Sequence, residues 1–183
     1  MNVTVTEAQE VMRTAERLYA PAEVEQALER MAAEITTALA KSNPLVVTVL
    51  TGAIIPAGLL MTKLHFPLQS DYLHATRYRG DTEGRDLHWL VRPRSDLRGR
   101  TVLIVDDILD EGPTLQAIVA ACRQQGAAAV YTAVLVKKNH NRNIGIEADF
   151  VGLETGDRYL FGYGMDYHDY WRNAPGIFAV KGM

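Results

Sequence analysis

Residues 102–115 read Val-Leu-Ile-Val-Asp-Asp-Ile-Leu-Asp-Glu-Gly-Pro-Thr-Leu, an apolar run that turns into three aspartates and a glutamate directly ahead of a glycine and a proline. The apolar part, Thr101 to Val105, has the composition of a strand. Asp106 and Asp107 come as that run finishes, which places them at the carboxyl end of the strand, where an open α/β sheet forms its crevice. Carboxylates there accept hydrogen bonds from ligand hydroxyls or meet a hard cation such as Mg²⁺. Asp110, three residues on, is near enough in a turn to face the same ligand. Glu111-Gly112-Pro113-Thr114 then supplies a permissive glycine, a proline suited to a helix start and a hydroxyl, so that backbone amides and the positive end of a helix surround an anion. Acids beside an anion cradle suggest a sugar phosphate. The plainer reading is a solvent-facing loop in which Asp110 or Thr114 caps the following helix.

Working outward, Leu115 to Gln125 has helical periodicity with Gly126 as its stop, and Val130 to Val136 is a further strand. Upstream, Leu45 to Leu50 reads as a buried strand after Ser42-Asn43-Pro44. Thr51-Gly52 opens a tight connection into an apolar helix from Ile54 to Leu64, whose first turn tolerates Pro56. Gln69 to Ala75 is another strand. Val24, Leu28, Met31, Ile35 and Leu39 share one face of a helix that starts at Pro21, ends near Lys41 and should cover a sheet. Thr6 with Gln9 forms a capping box for a first helix reaching about Leu18. Arg77 to Gly99 is charged and glycine-containing, as in a mobile loop or hairpin. Residues 138–183 hold short strands around Phe150 and Tyr159 and contribute to a cap on the sheet edge. The repeated strand, turn, helix order predicts an α/β fold with a largely parallel central sheet flanked by helices. At 183 residues one domain, 1–183, accommodates everything, with N-terminal helices in 1–41.

Hydrophobic residues at 48% and charged residues at 22% describe a globular chain, and the net charge of -3 gives no global case for nucleic acid. The single cysteine, Cys122, excludes an intramolecular disulfide and reads as structural in an apolar helix. The N-terminal stretch has no basic region followed by an apolar run, so the expected location is cytoplasmic. A Walker loop is absent, as is the dinucleotide glycine fingerprint. His74, His140 and His168 are scattered and lack cysteine partners, so they receive no chemistry.

The run 102–115 resembles the phosphoribosyl-pyrophosphate motif of the type I phosphoribosyltransferases, and the chain from Leu45 onward is similar to their hypoxanthine-guanine branch. Thr51-Gly52 resembles the family's pyrophosphate loop, Arg77-Tyr78 the start of its flexible active-site loop, Val134 to Lys137 its purine-recognition strand, and Tyr159 to Arg172 its base-stacking and pyrophosphate segment. The resemblance implies a type I phosphoribosyltransferase fold with a small cap, or hood. It also implies Mg²⁺-dependent transfer of 5-phosphoribosyl from 5-phospho-α-D-ribose 1-diphosphate (PRPP) to N9 of hypoxanthine or guanine, giving IMP or GMP and diphosphate in purine salvage. Xanthine as the base, or a non-catalytic nucleotide-sensing member, are the alternatives.

By the same resemblance Asp106, Asp107, Asp110 and residues Glu111, Gly112, Pro113, Thr114 and Leu115 bind ribose and 5-phosphate. Asp110 serves as acid/base beside N7. Thr51, Gly52 and Arg172 hold diphosphate, and Lys137, Tyr159, Leu160 and Asp166 hold the purine, Lys137 at O6. Asp106, Asp107 and Asp166 organise Mg²⁺, and a homodimer or homotetramer is expected. Three positions depart from the pattern. Thr51 replaces a usual Lys or Arg, Arg77 a usual Ser, and Glu111 a usual Thr or Ser whose hydroxyl would approach the phosphate. Glu111 should therefore turn its side chain outward, because inward it would repel the anion.

Overall fold

A computed structural model describes residues 3–77 and 87–183. In chain order it contains α1 (Val5–Thr14), β1 (Glu16–Tyr19), α2 (Pro21–Leu39), β2 (Leu45–Leu50), α3 (Ile54–Met61), β3 (Gln69–Arg77), β4 (Leu87–Val91), β5 (Thr101–Leu109), α4 (Pro113–Gln124), β6 (Ala129–Lys138), β7 (Phe150–Thr155), β8 (Leu160–Phe161) and β9 (Ile177–Ala179). Six strands form the main sheet in the order β4-β3-β2-β5-β6-β7. All neighbours in it run parallel except β3 and β4.

Both faces of this sheet are covered, and that is why its central strands are apolar almost throughout. Leu103 and Val105 of β5 pack with Val24, Leu28, Met31 and Ile35 of α2 and with Ala57 and Leu60 of α3. Val102 and Ile104 face the other way, onto Leu115, Ile118, Val119 and Cys122 of α4. The α2 stripe expected from periodicity is wholly buried. In α3, Pro56, Ala57 and Leu60 are buried while Ile54 stays exposed, so most of that apolar segment is internal packing. Burial pushes the Cys122 thiol up to about 11, in keeping with a structural residue. Among the described residues no helix is long and apolar enough to cross a membrane.

The N-terminal expectation needs correcting. The capping box is Thr4 with Glu7, not Thr6 with Gln9, and α1 ends at Thr14. Residues 16–19 leave the helix because they pair with β9, at the edge of a small antiparallel sheet ordered β1-β9-β8. The hood is therefore built from both ends of the chain. β7, expected near the cap, extends the main sheet beside β6. Trp171 Nε1 donates to the Ala8 carbonyl at 2.6 Å, which ties α1 to the far end of the hood. The expected flexible loop falls where β3 and β4 meet: Arg77 closes β3, and Tyr78 with the residues through 86 lies outside the described residues.

Candidate active site

The main sheet opens at the carboxyl ends of β2 and β5 onto a cleft of about 710 Å³, lined by Leu50, Gly52, Asp106, Asp107, the turn 109–115 and Arg172. β5 runs on through Leu109, so the two aspartates lie within its last turnless residues and not beyond them. Gly112 caps α4 with φ 97°, and a Cβ there would overlap Ile146. Only glycine fits. No side chain caps α4, which removes the reading of Asp110 or Thr114 as its cap. The first-turn amides of α4 have no intrahelical partner, and Thr114 and Leu115 line the cleft. Pro113 has no N–H to offer and fixes the helix start instead.

Gly52 is set by contact. A Cβ at that position would overlap the Asp107 carboxylate, and one at Gly164, whose φ is 104°, would overlap the Gly52 carbonyl. These two close approaches press the β2–α3 turn between Asp107 and the hood. The Leu50–Thr51 peptide is cis. Thr51 itself is exposed and is not among the cleft-lining residues. Arg172 donates from Nη1 to the Gly164 carbonyl at 2.7 Å and from Nη2 to Asp166 Oδ1 at 2.6 Å. Its guanidinium thus reaches the cleft on a frame that the hood supplies.

A second chamber of about 230 Å³ shares Asp107, Ile108 and Asp110 with the first and adds Lys138, Tyr159, Leu160, Met165 and Asp166. Tyr159 is backed by His168, nearly parallel at 6.2 Å between centroids, and meets Tyr167 edge-on at 5.7 Å. Lys138 Nζ donates to Asp110 Oδ2 at 2.7 Å. Lys137 is not gathered here: its ammonium pairs with Glu147 in the loop before β7. The basic residue of this chamber is therefore Lys138, one position beyond the expected Lys137.

The anomaly at Glu111 resolves locally. Its side chain is exposed and accepts from Arg142 Nε at 3.2 Å, while the same guanidinium makes a two-pronged pair with Asp157 at 2.6 and 2.9 Å. The carboxylate is paired with an arginine of the protein, and that partner, Arg142, lies on the loop after β6. Asp110 also accepts from His140 Nε2 at 2.5 Å. Burial alone would raise the Asp110 carboxyl, but the bonds from Lys138 and His140 outweigh it and hold the group below its ordinary value.

Asp106 and Asp107 behave in the opposite way. Burial and the neighbouring Asp107 push Asp106 well up. Burial raises Asp107 too, against the opposing effects of its bond with Asp106 and the charge of Arg172. Two adjacent carboxylates that resist ionisation in one cleft have the donor chemistry of a site for a hard divalent cation. Asp166 already receives Arg172 and the Asp169 amide on its two oxygens. Asp110, His140 and Asp157 also lie close enough together to hold an ion, but Lys138 and Arg142 already occupy those carboxylates, so that set fits a cation poorly.

Four residues of the site were thus missed in the sequence: Lys138, His140, Arg142 and His168. Arg142 had a signal in the sequence, since an acid at position 111 calls for a nearby cation.

The chain matches the phosphoribosyl transferase domain over residues 14–168. It is 32% identical over 160 residues to the bifunctional protein TilS/HprT of Listeria monocytogenes, covering 87% of this chain but only 25% of that protein. It is 30% identical over 165 residues to the hypoxanthine-guanine phosphoribosyltransferase of Bacillus subtilis, covering 90% of this chain and 92% of the relative. A solved hypoxanthine-guanine-xanthine phosphoribosyltransferase superposes with a TM-score of 0.83 at 28% identity, covering 91% of this chain and 96% of the other.

Proposed function

Because the chain belongs to the phosphoribosyl transferase domain family, we propose that it salvages purines, transferring 5-phosphoribosyl from PRPP to N9 of hypoxanthine or guanine to give IMP or GMP and diphosphate. One observation carries this reading. Two chambers, one at the start of α4 and a smaller one lined by Tyr159 and Lys138, adjoin across Asp107, Ile108 and Asp110. That arrangement suits a sugar phosphate and a flat base meeting at one carbon.

In the reaction the bond from ribose C1′ to the diphosphate oxygen breaks with its electron pair on diphosphate, the bond from C1′ to N9 forms, and the proton on purine N7 passes to Asp110. Asp110 suits the acceptor role because its two cationic or N–H partners favour the ionised form. Lys138, which has three donors, can serve Asp110 and a purine O6 together, whereas adenine offers no acceptor there. Tyr159 with His168 behind it provides a face for the base. The α4 amides and Thr114 receive the 5-phosphate, and Arg172 receives diphosphate. Mg²⁺ held by Asp106 and Asp107, with Asp166 through water, would neutralise the leaving group.

The relatives named for hypoxanthine and guanine support the base class. Xanthine is the second reading, since a relative of known structure is named for it and Lys138 meets O6 of all three bases alike. The test is diphosphate release with hypoxanthine, guanine, xanthine and adenine, with and without chelator. Release with the 6-oxopurines, lost on chelation and weak with adenine, is expected. No base-dependent release with any 6-oxopurine would sink the proposal.

A further inference from the structure

His140 is one of the most enclosed polar side chains near the site, with its side chain 5% exposed. It belongs to the loop after β6, and nothing in the reaction described above assigns it a task beyond contact with Asp110. Both ring nitrogens are engaged. Nδ1 accepts from the backbone N–H of Arg142 at 3.1 Å, and Nε2 lies 2.5 Å from Asp110 Oδ1. A backbone amide can only donate, so the ring proton must sit on Nε2 and point at the carboxylate. The Asp110 oxygens are thereby divided: Oδ1 receives His140 and Oδ2 receives Lys138.

We propose that His140 is a positioning residue for phosphoribosyl transfer, whose tautomer is fixed by the Arg142 amide so that its Nε2–H orients the Asp110 carboxylate toward the purine. The inference rests on the reading of Asp110 as proton acceptor. It explains a need that Lys138 cannot meet alone. Lys138 has to turn part of its donor capacity to the base, and a carboxylate held by one flexible ammonium would rotate as that happened. A histidine locked at its far nitrogen keeps one oxygen fixed while the other works.

Other charges surround the pair. Lys138 comes from β6, Arg142 stands 3.9 Å from Asp110 Oδ1, Glu111 lies on the same turn, and Asp157 belongs to the turn after β7. Arg142 satisfies Glu111 and Asp157 with short bonds and approaches Asp110 only at a distance, so His140 is the direct partner of Oδ1.

The experiment compares wild type with His140→Ala, His140→Gln and Asp110→Asn in steady-state IMP formation across pH. Loss of one bond to a charged carboxylate predicts a kcat for His140→Ala lower by about 10- to 100-fold. Its acid limb moves to higher pH, because the carboxylate has lost a partner that favoured its ionised form, and KM for PRPP stays within about twofold. Glutamine, whose amide nitrogen reaches the place of Nε2, restores both kcat and the limb to near wild type. Long-range ¹H–¹⁵N spectra of the wild-type protein show His140 protonated on Nε2 and bare on Nδ1. A histidine that merely packs would lower kcat, if at all, without moving the acid limb. That result, a wild-type kcat in His140→Ala, or a ring protonated on Nδ1 overturns the inference; the spectrum and the glutamine variant still decide if alanine does not fold. Wild-type activity in Asp110→Asn sinks the underlying reading instead, whereas inactive Asp110→Asn beside unperturbed His140→Ala sinks this inference alone.

Discussion

Replacing Lys138 by Met, and separately Lys137 by Met, changes one charge in each case at adjacent positions of β6, yet the two should differ by more than an order of magnitude in effect. The Lys138 side chain is 10% exposed and its ammonium sits 2.7 Å from Asp110 in the chamber assigned to the base. Removing it deletes a hydrogen bond to a charged group, worth about 1.5–3 kcal/mol, which is about a 10- to 150-fold loss in kcat/KM. Methionine keeps most of the length and apolar stem, so packing around Met165 and Leu160 is retained and the loss reports on the ammonium. Lys137 bonds to Glu147, whose side chain is 66% exposed. A pair of that kind contributes about 0–1 kcal/mol to stability and nothing to a purine in the chamber that Lys138 lines. The assay is kcat/KM for hypoxanthine and guanine at saturating PRPP, with thermal melts to verify folding. A large loss in Lys137→Met together with near wild-type Lys138→Met would refute the placement of the chamber and return the base contact to Lys137.

Two other outcomes follow from the cleft. Gly52→Ala forces a methyl group into the Asp107 carboxylate, which is fenced by Asp106 and Arg172, so kcat/KM should fall by at least about 100-fold for roughly 3 kcal/mol of overpacking; full activity in a folded Gly52→Ala would mean that Asp107 is not held where the geometry puts it. Asp106→Asn should inactivate the enzyme yet raise the Tm of the ligand-free protein, because a carboxyl whose folded value is raised by burial and by Asp107 opposes folding once it is charged. The gain is full above the raised folded value and fades as pH falls through it toward the unfolded one, and at about 2–4 °C per kcal/mol it is readable in melts taken across pH; a Tm unchanged or lowered at every pH would contradict the mutual repulsion of the two aspartates.

Most of the main sheet was legible because its signals are local. Leu45–Leu50, Thr101–Val105 and the stripe from Val24 to Leu39 carry their periodicity within a few residues, and the structure buries them as expected. Glu16–Tyr19 was not legible, since its partner, β9, lies some 160 residues away and nothing in the four residues distinguishes the end of a helix from an edge strand. Residues 177–179 were missed for the same reason. The turn ahead of α4 was readable from residue types alone, because the demand for positive φ at Gly112 and for a helix start at Pro113 is written into one stretch.

The lysine register is the most instructive difference between the resemblance and the structure, and it has a geometric cause. The resemblance selects Lys137, and strict alternation along β6 would put it on the side of Leu135, the face that carries α2, α3 and the hood. Consecutive Leu135 and Val136, however, both pack into that face's cluster, and on the neighbouring strand Val105 and Ile108, three apart, do the same. Both strands shift phase by one residue where Asp106 and Asp107 emerge. The shift turns Lys138 toward Asp110, sends Lys137 to Glu147, and brings Ile108 beneath the second chamber. It also leaves Asp106 and Asp107 side by side in the cleft instead of on opposite faces of the sheet. Strict alternation would assign that pair to opposite faces, so the departure that carries Lys138 to Asp110 accompanies the meeting of the two carboxylates in one cleft.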